Sequence, residues 1–138
     1  MNLTRPTKSK EIKRDWHLLD AKDQILGRMS SQIALLLMGK KKPYFARNLD
    51  CGDYVVVINA AFVKVTGKKE QNKLYRRHSG YPGGYKEEPL NKLKSRKPTE
   101  IVRLAVSGML PKNKLRDTML RRLYLFAQDQ HTFENKFK

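Results

Sequence analysis

Apolar positions recur at helical spacing early in the chain: Leu26, Met29, Ile33, Leu36 and Leu37 share one face, with Arg28, Ser31 and Gln32 elsewhere on the wheel. A helix opening at Asp23 or Gly27 and stopping at Gly39 follows from this pattern. Lys40, Lys41 and Lys42 come next, where cations suit the partial negative charge of a helix C-terminus, and then Pro43. A different pattern governs Tyr54-Val55-Val56-Val57-Ile58, a continuous run that predicts a strand covered on both faces. Trp16 to Asp20 reads as a short strand before the helix, and Phe62 to Val65 as another after the apolar run. Leu74 and Tyr75 lead into a strand-like Arg76-Arg77-His78. Ser79 to Gly84 must be irregular, with three Gly and one Pro in six residues.

Pro98-Thr99-Glu100 marks a second helix start, followed by Ile101, Leu104, Ala105 and Gly108 on one face and closed by Pro111. Leu115, Met119 and Leu123 predict a helix over 114–122. Leu123 to Phe126 reads as a final strand. There are no repeats and no second domain. Residues 1–14 read as an extended basic arm, 15–127 as one α/β domain and 128–138 as a polar tail. Strands alternating with helices imply an α/β sandwich with a largely parallel sheet.

Charge changes this picture most. Thirty Lys and Arg against thirteen Asp and Glu give +17, a surface that repels itself and calls for a polyanionic partner. Nucleic acid is the commonest such partner. An anionic membrane is the rival, but no long apolar run or strongly basic amphipathic helix favours it. The single cysteine, Cys51, excludes an internal disulfide and a cysteine-cluster zinc site.

Catalytic patterns fail one by one. Gly67-Lys68 lacks the phosphate-binding loop's upstream glycine, because Phe62 stands there, and Lys69 replaces its Ser or Thr. Cys51 with His78 could be drawn as nucleophile and base, yet a lone cysteine beside a buried strand is more often packing. Asp50 and Asp53 flank Gly52 before a strand, where carboxylates serve as turn formers. Asp20, Asp23, His17, His78 and His131 share no metal-ligand spacing. No cofactor and no metal are implied.

The cations are dispersed rather than confined to one tail. Lys8, Lys10, Lys13 and Arg14 form one group, Lys40–Lys42 a second, Lys68, Lys69 and Lys73 a third, and Arg76 with Arg77 a fourth. Lys92, Lys94, Arg96 and Lys97 follow, then Lys112, Lys114, Arg116, Arg121 and Arg122. Most fall at loops or helix ends, where long side chains reach phosphates. Arg76 to Tyr85 adds guanidinium forks, tyrosine rings and glycines in one loop, tools for irregular RNA; a tyrosine-anchored structural loop would look the same.

Val106-Ser107-Gly108-Met109-Leu110-Pro111-Lys112-Asn113 resembles the signature of the universal large-subunit ribosomal protein thirteen family. Trp16 to Asp20, Leu26-Gly27-Arg28, Gly39-Lys40-x-Lys42-Pro43, Asp50 to Ala60, Val65 to Lys69 and His78 to Gly84 follow in that family's order. The resemblance covers nearly the whole chain. It implies a four-stranded, mainly parallel sheet and a monomer within the ribosome that binds large-subunit ribosomal RNA early in assembly, beside neighbouring ribosomal proteins.

The RNA contacts the resemblance implies are Lys8, Lys10, Lys13 and Arg14 of the arm, then Arg28, Lys40, Lys41, Lys42, Thr66, Lys68 and Lys69. Arg76, Arg77, His78, Ser79, Gly80 and Tyr81 join them, followed by Lys112, Lys114, Arg116, Arg121 and Arg122. Gly108, Met109 and Pro111 would shape the last loop, and a branched side chain at Gly108 should crowd a tight helix exit. Arg77 stands where bacterial members usually carry a second His, and Arg116-Asp117 where they tend to have Gly-Arg. The motif style looks closer to the mitochondrial branch, which implies a mitochondrial ribosome, with a bacterial or plastid one as alternative. An RNA-binding regulator acting away from the ribosome is the competing function.

Overall fold

The computed structural model describes residues 5–137. Three parallel strands form the central sheet: β1 (Trp16–Asp20), β2 (Tyr54–Ile58) and β5 (Leu123–Leu125), in the order β1-β2-β5. Trp16 lies opposite Tyr54, and Val55 opposite Leu123. Strand β2 is central because its Val55–Ile58 stretch is buried along its length, as expected for a parallel strand covered on both faces.

On one face, Val55 and Val57 join a core supplied by α1 (Leu26–Met38) and α4 (Pro98–Met109), including Ile33, Leu37, Ile101, Val102 and Val106. Helix α1 starts at Leu26 with no side-chain cap, and Gly39 ends it in the left-handed conformation. Pro98 occupies the first turn of α4, where its missing N–H costs nothing. The helix ends at Met109, just before Pro111. Helix α5 (Leu115–Leu120) is shorter than the predicted 114–122 span and contributes Met119.

The other face is partly covered by the C-terminal segment, read from sequence as a polar tail, through its two phenylalanines. Phe133 packs on Tyr124 and Trp16 with ring centroids 4.4 and 5.2 Å apart, and Trp16 stacks on Tyr54 at 4.4 Å. The apolar residues of this tail are too sparse to show a periodicity, yet two phenylalanines suffice because the sheet supplies the other rings.

The sheet has three strands, not the four implied by the family resemblance. Asn59 turns left-handed (φ 58°) directly after β2. Ala60–Phe62 then forms a 3-10 turn, and the expected strand over 62–65 reduces to one parallel bridge between Ile25 and Lys64. The predicted strand around Arg76-Arg77-His78 forms, as β3 (Leu74–His78), but it pairs antiparallel with β4 (Tyr85–Pro89) in a separate hairpin. Two short helices lacked a clear signal: α2 (Lys69–Asn72) and α3 (Leu90–Arg96), the latter anchored by buried Leu90 and Leu93.

The arm is docked rather than free over the residues described. Thr7 Oγ1 donates to the Tyr44 carbonyl at 2.8 Å, and Lys42 Nζ to the Lys13 carbonyl at 2.5 Å. Residues 1–4 of the predicted arm lie outside the described residues.

Candidate nucleic-acid interface

The candidate cations divide into those held by the protein and those left facing outward. Arg122 is buried, with 6% of its surface exposed. Its Nε donates to the Asp53 carbonyl at 3.2 Å and its Nη2 to the Leu37 carbonyl at 3.0 Å and Asp50 Oδ1 at 2.5 Å. Its Nη1 donates to Asp50 Oδ2. All three nitrogens are engaged, so Arg122 leaves the set of candidate RNA contacts.

Arg14 is drawn in beside it, donating to the Gly52 carbonyl at 2.6 Å and the Asp50 carbonyl at 3.0 Å. Lys42 pairs with Asp53, which also accepts from the backbone N–H of Asp15 at 3.1 Å and meets His17 Nε2 at 3.0 Å. Burial pushes the Asp53 carboxyl up, but the hydrogen bonds from Lys42, Asp15 and His17 outweigh it and hold the carboxyl below its ordinary value.

Asp50 and Asp53 are therefore ionic anchors of the fold, not merely turn formers. Gly52 between them is required by close approach, since a Cβ there would overlap the Leu37 carbonyl and the Arg122 guanidinium. The sequence signal was the pair of acids in a chain otherwise short of them.

The outward-facing cations include Lys8, Lys10 and Lys13, then Lys40 and Lys41, Lys68 and Lys69, and Lys112, Lys114 and Arg121. Arg116 is half-buried in the first turn of α5, with its Nε sealed from solvent and without a partner among the described residues. The structure gathers others around two grooves. In the first, of about 820 Å³, Arg76 and Arg77 of β3 and Lys86 of β4 face Lys92, Arg96 and Lys97 around α3, with Glu87, Glu88 and Glu100 among them. Arg96 pairs with Glu88 at 2.6 Å and Arg76 approaches Glu87 at 3.6 Å, whereas Arg77 has no ion-pair partner among the described residues.

Lys86, Lys92, Arg96 and Lys97 complete this groove; the missed strand β4 is what brings Lys86 opposite Arg77. At the hairpin tip, the Gly80 N–H donates to His78 Nδ1 at 2.9 Å and the Gly84 N–H to the Tyr81 carbonyl at 2.9 Å. This ordered turn leaves Tyr81 76% exposed.

The second groove lies between the start of α1, the end of α4 and the 65–73 segment. Arg28, Thr66, Lys69, Gly108 and Met109 meet there, with Lys73 added. Leu104 lines both grooves, so the two adjoin. Gly108 is helical, and a Cβ built on it meets nothing within 4 Å. The expected crowding at this glycine is thus corrected: the position faces open space. Pro111 and the exposed Lys112 follow in an irregular link to α5. The Lys40–Lys41 and 112–121 groups belong to neither groove.

The stretch of sequence that carries both grooves and the Arg122 anchor matches a known family. The sequence profile described as Ribosomal protein L13 matches residues 14–132. The chain belongs to the ribosomal protein L13 family. This is a family of structural, non-enzymatic proteins. The "Large ribosomal subunit protein uL13" of Solibacter usitatus is 50% identical over 95% of this chain and 91% of its own length. That of Geobacter sulfurreducens is 47% identical over 97% and 94%, and that of Thermosipho africanus 50% identical over 90% and 83%.

These L13 relatives are bacterial, so the mitochondrial assignment drawn from motif style is not supported. Of the departures from the bacterial pattern, Arg77 lies exposed on β3 and Asp117 exposed on α5, whereas Arg116 is half-buried.

Proposed function

We propose that this chain is a structural component of the large subunit of a bacterial-type ribosome and that it binds large-subunit ribosomal RNA directly. The observation that carries the reading is the division of its cations. Arg122, Arg14 and Lys42 stitch the body together. The remaining exposed groups surround that body on loops, helix ends and a hairpin, where their long side chains extend toward solvent and can reach phosphates. The names of the bacterial relatives support a large-subunit setting.

The contact surface consists of the outward Lys of the arm, Lys40 and Lys41, the two grooves, the hairpin tip with Tyr81, and the 112–121 segment. Cations on several sides suit a folded RNA gripped at several places, and such a protein joins early because it needs the RNA rather than other proteins to neutralise it. It acts as a monomer whose neighbours are other large-subunit proteins.

Sucrose-gradient sedimentation of bacterial extracts containing the tagged chain tests this reading. The chain should travel with the large subunit in moderate salt, and the purified chain should bind protein-free large-subunit RNA. Recovery only in the free fraction, with ribosomes intact, would sink it; crosslinks to messenger RNA alone would favour the regulatory function.

A further inference from the structure

The second groove combines three properties that the fold itself does not require. Its volume is about 570 Å³, within the range of sites that hold a small organic group. Leu104 and Met109, each 41% exposed, present apolar surface to it, with Ala105 alongside. Its charged lining is wholly cationic: Arg28, Lys69 and Lys73 border it and no acid does. None of the three has an ion-pair partner among the described residues, although other surface cations, such as Lys64 and Arg96, do.

The glycines sharpen the point. Gly27 and Gly108 both line this groove, both lie inside helices, and neither has a positive φ. A Cβ on either would meet nothing within 4 Å. Gly39 and Gly52, by contrast, are pressed against backbone. A helical glycine costs stability relative to alanine, and nothing inside this protein calls for it at these two sites. A ligand approaching the helix backbones would need the space.

We infer that the groove seats one unpaired nucleotide of the bound RNA, its base on Leu104, Met109 and the bare backbone at Gly108, and its phosphates at Arg28, Lys69 and Lys73. A base supplies the flat apolar face that the floor accepts, and the flanking phosphates supply the charge that the rim lacks. A paired duplex keeps its bases stacked inside and cannot fill the floor. An apolar protein segment would leave three cations uncompensated. This site rests on the RNA-binding reading above and deepens it.

The test compares wild type, Gly108→Ala and Gly108→Leu, full length, against two probes at fixed salt: a mixed-sequence single-stranded RNA of ten nucleotides and a blunt RNA duplex of equal length. Gly108→Ala should raise the melting temperature by about 2–5 °C while weakening single-strand binding several-fold. Gly108→Leu should weaken single-strand binding about tenfold or more, the scale of one lost base contact, with duplex binding unchanged. With a 4-thiouridine-labelled strand, photocrosslinks should map to Leu104–Met109 in wild type and disappear in Gly108→Leu.

Unchanged single-strand affinity in both variants overturns the site while leaving general RNA binding intact. So does an equal loss for both probes, or crosslinks confined to the hairpin. Failure of the wild type to bind any RNA, including large-subunit RNA, overturns both readings together. Should Gly108→Leu fail to fold, Gly108→Ala and the wild-type crosslinks decide alone.

Discussion

Arg122 illustrates how one residue type can serve opposite purposes in the same chain. By composition it was one of thirty cations; in the structure it is the hub that ties Leu37, Asp50 and Asp53 together. Replacing it with alanine leaves the largely buried Asp50 carboxylate with only Arg14, 3.5 Å away, so Arg122→Ala should cost about 3 kcal/mol, read by urea unfolding. Asp53 adds a pH dependence. Its folded pKa is depressed, so ionised Asp53 contributes stability above its ordinary value of 3.8 and loses it as pH falls through the lower folded value. Melting curves below about pH 4 should therefore fall steeply for wild type and be flatter for Asp53→Asn, from a lower starting stability. The role of Arg122 was not legible from sequence, because burial is decided by what packs above a residue and its partners lie 69 to 85 positions away.

At the scale of elements, long apolar patterns were readable and short polar ones were not. Helices α1 and α4 and strand β2 follow from spacing alone, because burial on a fixed face imposes a period. The hairpin was only half visible. Strand β4 reads Tyr-Lys-Glu-Glu-Pro, with no apolar alternation, since neither face is deeply buried. That hairpin also carries a conflict, for Arg77 sits directly opposite Lys86. Like charges across a strand pair destabilise it, which makes sense where an anion is to be bound. Lys86→Glu should relieve the repulsion, by about 0.2–1 kcal/mol, and slow amide exchange within the hairpin. Binding to large-subunit RNA should weaken in the same variant; a gain in both properties would argue against RNA contact here.

For the whole molecule, +17 called for a polyanionic partner from the outset, but only the distribution of side chains separates structural from outward-facing cations. The α/β class was legible. The strand count was not, because left-handed Asn59 diverts the chain where the hydrophobicity of Phe62 and Val63 had promised another strand. Of the candidate site, Arg28, Thr66, Lys69 and Gly108 were named from the sequence, yet only the meeting of α1 with α4 shows that they share one groove. Affinity for large-subunit RNA should fall linearly with salt on logarithmic axes. Lys112→Ala should make that slope shallower by about one unit if Lys112 neutralises a phosphate. An unchanged slope would remove the residue from the contact surface.

The order of strands in the sheet has a consequence in time. Strand β2 must wait for β5, sixty-eight positions later in the Val55–Leu123 pair, and its second face must wait for Phe133. A chain made from its N-terminus at about 5–20 residues per second therefore emerges with its cations exposed and its sheet still open for several seconds. Arg122, the last residue of the ionic hub to be made, arrives almost together with β5. The chain can close on its own core only once β5 and Phe133 have been made, so its cations are exposed to solvent before its fold is complete.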